Sequence, residues 1–241
     1  MHAISKAIRP VFFQNASEEW PYSTHGGTMF LVSYKKKCYG LTCKHVLSGF
    51  DPSQLFVARD SLPKQGTPPA PVSEFAYIDG EGEIADVAII IFKDEINNEF
   101  FDYSAYRFRY ATIGSSNTAH KLHVYGFLKD KTTINYDTKA IIGGFCDLEV
   151  RDIGAVSNDY YLRYATATYV NHGFERITGV SGAAIFDETA NKLCGMAVRG
   201  GLDNGIVKLW YVDISHIFRA LEAVHEPRNR VSYVIAPPEL R

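Results

Sequence analysis

Three short stretches of this 241-residue chain carry residue types capable of nucleophilic chemistry. Gly179-Val180-Ser181-Gly182 sets a serine between glycines. Small neighbours let a carbonyl approach the hydroxyl, and glycine permits the turn that aims backbone N–H groups at a developing oxyanion. Leu41-Thr42-Cys43-Lys44-His45-Val46 places a histidine after a strand-like run, and Ala85-Asp86-Val87-Ala88-Ile89-Ile90 opens another run with an aspartate. A serine hydroxyl is a poor nucleophile until a base takes its proton. A neutral imidazole does that, and a carboxylate on the other ring nitrogen fixes the tautomer and stabilises the imidazolium. His45, Asp86 and Ser181 have the types for these roles, in the chain order His, Asp, Ser. Each also has a plainer reading: a core histidine bonded to backbone, an aspartate capping a strand, a turn serine.

The elements that must hold these residues read mostly as strands. Thr28–Tyr34 and Cys38–Cys43 flank Lys35-Lys36-Lys37 and read as a hairpin with a solvated turn. Further strand-like runs are Gln54–Ala58, Val72–Ile78, Val87–Phe92, Lys121–Phe127, Thr138–Ile142, Tyr160–Ala165, Ala183–Asp187, Leu193–Arg199 and Val207–Val212. Short strands at this spacing, with turn residues between them, predict β-barrels rather than alternating β/α units. The proline-rich segment from Asp60 to Pro71 reads as a surface loop. The stretch from Asn97 to Asn117 has no clear period and reads as a bridge between two halves. One helix is expected over 213–224, with apolar residues at 214, 217, 218, 221 and 224, Asp213 as its cap and Pro227 beyond its end.

Composition narrows the function classes. Hydrophobic residues make up 46% of the chain, enough for a substantial core. The formal net charge of −2 gives no electrostatic case for nucleic acid as the main partner. No run is long and apolar enough for a membrane span, and Met1–Pro10 has no apolar signal core. Cys38 and Cys43 fall on opposite faces of one expected strand, so a disulfide between them is not expected. All four cysteines, Cys146 and Cys194 included, read as buried thiols in a reducing compartment, the cytoplasm. No cysteine pair has zinc-ligand spacing and the eight histidines are scattered, so neither a metal nor an organic cofactor is expected.

In their order and contexts, the three stretches resemble the trypsin/chymotrypsin-like serine peptidases. Gly27-Thr28-Met29-Phe30-Leu31-Val32 looks like that family's early strand, and Leu193-Cys194-Gly195-Met196-Ala197-Val198 like the strand lining its substrate channel. The resemblance runs from about residue 26 to about 225. It implies an all-β fold of two six-stranded antiparallel barrels with a C-terminal helix. Residues 1–110 would carry His45 and Asp86, and residues 111–241 would carry Ser181 and end in the helix and a tail. It implies an endopeptidase with a His45-Asp86-Ser181 triad, an oxyanion hole of the Gly179 and Ser181 N–H groups, and protein or peptide substrates. Glu175, Thr178, Ala197, Val198 and Arg199 would line the substrate site. Glu175, six residues before the serine, suggests a basic P1 side chain, unless Arg176 pairs with it; Arg199 instead favours an acidic one. Val180 stands where digestive members carry an aspartate that pairs with a new N-terminus, so that activation route is excluded. Ala183-Ala184 replace the usual glycine and proline. Both departures are closer to bacterial and organellar intracellular members than to secreted ones. They leave room for control by a regulatory protein partner or another trigger. The alternative is a non-catalytic peptide- or protein-binding module on the same fold. An esterase of another fold is disfavoured, because its serine would sit between strand and helix and precede the histidine.

Overall fold

The computed structural model describes residues 4–14, 22–59, 69–114, 121–135, 137, 140–156, 159–168 and 177–226. The loop around 60–68, Glu175 and Arg176, and the tail from 227 lie outside the described residues.

The first half is a sheet of β1 (Ile8–Gln14), β2 (Tyr22–Tyr34), β3 (Lys37–Thr42), β4 (Leu55–Phe56), β5 (Val72–Tyr77), β6 (Ala88–Phe92) and β7 (Tyr106–Arg107). Six strands follow one path, β4-β1-β2-β3-β6-β5. The short β7 lies parallel to β2 at Val32 and Ser33, just past the last β1 pairing at Phe30. Among the described residues no hydrogen-bonded pairing joins β4 to β5. The β2–β3 hairpin turns at Lys35 and Lys36, both in the left-handed region with φ of 46° and 72°, as tight two-residue hairpin turns require.

The second half comprises β8 (Leu122–Phe127), the small pair β9 (Thr133–Asn135) and β10 (Ala140–Ile142), then β11 (Phe145–Val156), β12 (Asp159–Thr168), β13 (Ala184–Asp187), β14 (Lys192–Asp203) and β15 (Ile206–Asp213). Six of these close into a barrel in the order β11-β12-β15-β14-β13-β8. Its interior holds Leu122, Val124, Leu148, Val150, Ile185 and Leu209, among others. Residues on its outer face, including Tyr125, Phe186, Met196 and Val198, join the first sheet and the C-terminal helix in one continuous apolar cluster. The two halves are thereby fused by a shared core.

Four of the described strands escaped the sequence reading: the short β7 and β9, and the longer β1 and β11, whose reasons are identifiable. In β11 the buried Cys146, Leu148 and Val150 alternate with exposed Asp147, Glu149 and Arg151, so half of a strand with one wet face reads as charged loop. β1 carries Pro10, which cannot donate to a ladder, and the β1–β2 register shifts between Pro10 and Phe12, the kind of irregularity where proline is tolerated.

Among the described residues, two α-helices complete the frame. α1 (Lys44–Leu47) is a single turn, and α2 (Ile214–His225) matches the expected helix. Asp213 caps α2 by accepting from the Ser215 backbone N–H at 2.9 Å. Its Ile214, Ile217, Phe218 and Leu221 are buried. α2 follows β15 of the second half but fastens to the hairpin of the first. The Tyr34 hydroxyl donates to Glu222 (3.2 Å), the Tyr39 hydroxyl meets His225 Nδ1 (2.7 Å), and Lys35 pairs with Glu226.

Candidate active site

His45 sits in α1, where the chain leaves β3. Val46 and Leu47 of that turn point into the core, while His45 keeps 52% of its side-chain surface exposed. Asp86 follows a single turn at Glu83–Ala85 and precedes β6, the neighbour of β3. Its Oδ1 accepts from the His45 backbone N–H at 2.9 Å and its Oδ2 meets His45 Nδ1 at 2.5 Å. Its own carbonyl accepts from the Lys44 N–H at 3.3 Å. A carboxylate only accepts, so the Nδ1 proton faces Asp86 and Nε2 is left as the basic nitrogen.

Ser181 occupies the loop entering β13. A network centred on Thr28 of β2 holds that loop. The Thr28 N–H donates to the Ser181 carbonyl (2.9 Å), and Thr28 Oγ1 donates to the Gly179 carbonyl (2.8 Å) while accepting from the Phe127 N–H (2.8 Å). The Thr42 hydroxyl in turn donates to the Thr28 carbonyl at 2.7 Å. Both threonines are fully buried, and burying hydroxyls this way is favourable only when they are bonded. Gly182, with φ of +85°, donates its N–H to the Ala197 carbonyl, and a Cβ there would lie 1.9 Å from the Thr28 carbonyl oxygen. The Cys43 thiol, directly before α1, donates to that same Ala197 carbonyl at 3.2 Å. The His45 and Ser181 segments thus share anchors on β2 and β14.

The Ser181 hydroxyl donates to the Val198 carbonyl at 3.5 Å, and no hydrogen bond joins it to His45. The structure therefore pairs histidine with aspartate and leaves the serine hydroxyl on a long contact. Among the described residues, the N–H groups of Gly179 and Ser181 donate to no acceptor. Gly179 has φ of +100°, and a Cβ there would come within 2.5 Å of the Lys129 nitrogen, so only glycine fits. Val180 is buried in the barrel interior beside Ile177 and Leu209. The absence of an aspartate at this position is thus matched by an apolar environment.

The other sequence-chosen residues divide. Ala197 and Val198 are buried on β14, and Thr178 is exposed with its carbonyl accepting from the Lys129 N–H. Arg199 is 68% exposed and lies on the barrel's outer face. There it reaches Glu83 at 3.4 Å and sits 5.5 Å over the Trp210 ring. Glu175 lies outside the described residues. Sequence reasoning missed Thr28, Thr42 and Glu83. The threonines are marked by burial and long-range bonding and Glu83 by its ion pair with Arg199, none of which local sequence displays.

All four cysteines are free and buried. Burial pushes the thiols of Cys38, Cys146 and Cys194 up to about 12 and holds Cys43 well above the ordinary value, with the Asp86 charge adding to the effect. Among the described residues, two clusters bring metal-ligating atoms within 4.8 Å of one another: Cys43-His45-Asp86 and His123-Asp147-Glu188. In the first, the thiol is neutral and bonded to Ala197, and His45 Nδ1 is committed to Asp86. In the second, the ring nitrogens of His123 face different carboxylates, Nδ1 to Asp147 at 2.8 Å and Nε2 to Glu188 at 3.4 Å. Both sets read as internal hydrogen-bond partners.

No family model and no curated protein matches the chain. Among solved structures, it is similar to a thermostable serine protease, AL20, from an extremophilic microorganism, at 11% identity and a TM-score of 0.57, over 91% of this chain and 97% of that one. It is similar to a scabies mite inactivated protease paralogue, S-D1, at 10% identity and a TM-score of 0.59, over 97% of each chain. The VesB protease of Vibrio cholerae aligns at 13% identity and a TM-score of 0.54, over 96% of this chain and 68% of that one. At such identities the likeness carries the fold, the trypsin-like two-barrel arrangement, and leaves the chemistry to this chain's own residues.

Proposed function

We propose that the chain is a serine endopeptidase acting on protein or peptide substrates through Ser181, His45 and Asp86. The observation that carries this reading is the two-point hold of Asp86 on His45, which orients an exposed imidazole with its basic nitrogen free. A histidine serving only the fold has no need of this arrangement on a half-exposed ring. Ser181 Oγ would attack the scissile carbonyl as His45 Nε2 takes its proton. The Gly179 and Ser181 N–H groups would bind the oxyanion, and His45 would then protonate the leaving amine; water reverses these steps on the acyl-enzyme. The long Ser181–Val198 contact is compatible with this, because catalytic hydrogen bonds are often loose before substrate binds. The four buried free thiols support a reducing compartment, the cytoplasm. Control by a protein partner or other trigger belongs to the same reading, because Val180 cannot form the ion pair of zymogen activation.

A second reading, a binding module on the same fold, draws on the missing His45–Ser181 hydrogen bond and on the inactivated paralogue among the structural neighbours. A fluorophosphonate probe separates the two. An active hydrolase is labelled at Ser181, and Ser181→Ala abolishes both labelling and peptide cleavage. A correctly folded wild type that is neither labelled nor active would overturn the proposal.

A further inference from the structure

β14 has one unpaired edge, and that edge begins at the nucleophile. On one side the strand pairs with β15 as far as Asp203. On the other it pairs with β13 only to Met196, and the Gly182 and Ala183 contacts end at Ala197. Among the described residues no strand pairs with that side of Val198 to Asp203. The Val198 carbonyl, first on the free edge, accepts from Ser181 Oγ. An extended peptide adding to this edge as an antiparallel strand would bring a carbonyl to Ser181.

The pleat then sorts the peptide's side chains. Gly200 pairs with Leu209 of the barrel interior, and a Cβ on it would meet Ile177 and Val180. Arg199 points to the other face, because its partner Trp210, and Tyr164 opposite Trp210, lie on the barrel exterior. Cross-strand neighbours share a face. Arg199 therefore does not line the face that Gly200, Ile177 and Val180 share, where the scissile residue's side chain would enter. It faces the side chain of the preceding residue, P2. Its guanidinium rests over Trp210, which is itself 5.1 Å from Tyr164, and this platform holds it at the edge. Its carboxylate partner is Glu83, through a single 3.4 Å contact, so most of its donors remain open to solvent. A planar guanidinium held in this way is suited to a second carboxylate.

We propose that Arg199 selects an acidic side chain at P2, accepting the substrate carboxylate in exchange for or beside Glu83. This rests on the serine endopeptidase reading and adds a substrate class to it. Because the ion pair is exposed, the selection is modest and sensitive to salt.

The test uses full-length protein, a mixed-sequence peptide library and mass-spectrometric reading of cleavage sites, alongside fluorophosphonate labelling. Wild type is expected to cleave peptides with Glu or Asp at P2 about fivefold faster than those with Gln or Asn there, with the ratio shrinking as salt is raised. Arg199→Gln should bring acidic and amide peptides to equal rates. Glu83→Gln should widen the wild-type preference by removing the competing carboxylate. Thermal melts of both variants establish that they are folded. A flat or basic P2 profile from a wild type that labels at Ser181 overturns this inference alone, as does an acidic preference that survives Arg199→Gln. A wild type that neither labels nor cleaves overturns the endopeptidase reading and this inference with it.

Discussion

Asp86 grips His45 at two points, one carboxylate oxygen on the backbone N–H at 2.9 Å and the other at ring Nδ1 at 2.5 Å. The first contact fixes where the turn begins, and the second fixes how the ring faces. Asp86→Asn preserves the shape but can present an N–H to Nδ1, which drives the ring proton to Nε2 and removes the base. Turnover near neutral pH should fall by on the order of 10⁴ with the fold unchanged. A steady-state assay beside a circular dichroism spectrum checks this; a loss under about tenfold means that the orienting carboxylate is elsewhere.

Thr28 ties three segments together through one hydroxyl and one peptide unit. Thr28→Val keeps the shape but leaves the Gly179 carbonyl without its donor and the Phe127 N–H without its acceptor. Each stranded buried group costs about 1–3 kcal/mol. The variant should melt at a lower temperature and also lose turnover, because the loop bearing Gly179 and Ser181 loosens. Reduced stability with full activity at low temperature would show that the loop holds its geometry without this staple.

Gly182→Ala combines two penalties. A left-handed φ costs a residue with a Cβ about 1–3 kcal/mol, and the added carbon lies 1.9 Å from the Thr28 carbonyl, far inside contact distance. The backbone must move, and the Gly182–Ala197 and Thr28–Ser181 bonds move with it. Loss of Ser181 labelling together with a lowered melting temperature is the expected outcome, read on the purified variant. Retention of both would contradict the tight approach of β2 to the serine loop.

Burial lowers the proton affinity of His225 below its ordinary 6.5, helped by the nearby Lys35 and Lys37 and opposed by Glu226. The neutral ring meets the Tyr39 hydroxyl at 2.7 Å, with Tyr34 edge-on at 5.3 Å. A depressed folded value means that the unfolded chain binds the proton more readily. The contribution is therefore present above about pH 6.5 and is lost as pH falls through the folded value. Thermal melts between pH 7.5 and 5 should show stability falling on acidification, with a shallower slope in His225→Gln. Equal slopes would assign the acid sensitivity to other groups.

Much of the architecture was legible because it is written in local periodicity. The lysine hairpin, the Ala88–Phe92 strand and the stripe of α2 each announce themselves within a dozen residues. His45, Asp86 and Ser181 could be singled out for a similar reason, since each sits in a distinctive short context at a strand end, and the structure pairs the first two. The strand β11 was lost because one wet face reads as charge. Thr28 and Thr42 were invisible because a buried hydroxyl that staples distant segments looks like any strand threonine. The face that Arg199 presents was not legible, because the β-bulge between Ala197 and Arg199 resets which side each residue of β14 presents. Local sequence does not mark that bulge.

α2 lies at the end of the described chain, yet its partners Tyr34, Lys35 and Tyr39 belong to the β2–β3 hairpin near its start. The fastening spans nearly the whole chain, with 186 residues separating Tyr39 from His225. During translation the histidine-bearing half therefore emerges long before its clasp exists. Contacts of such separation close late and slowly. The hairpin beside the His45 turn therefore gains this clasp only after synthesis has passed residue 225.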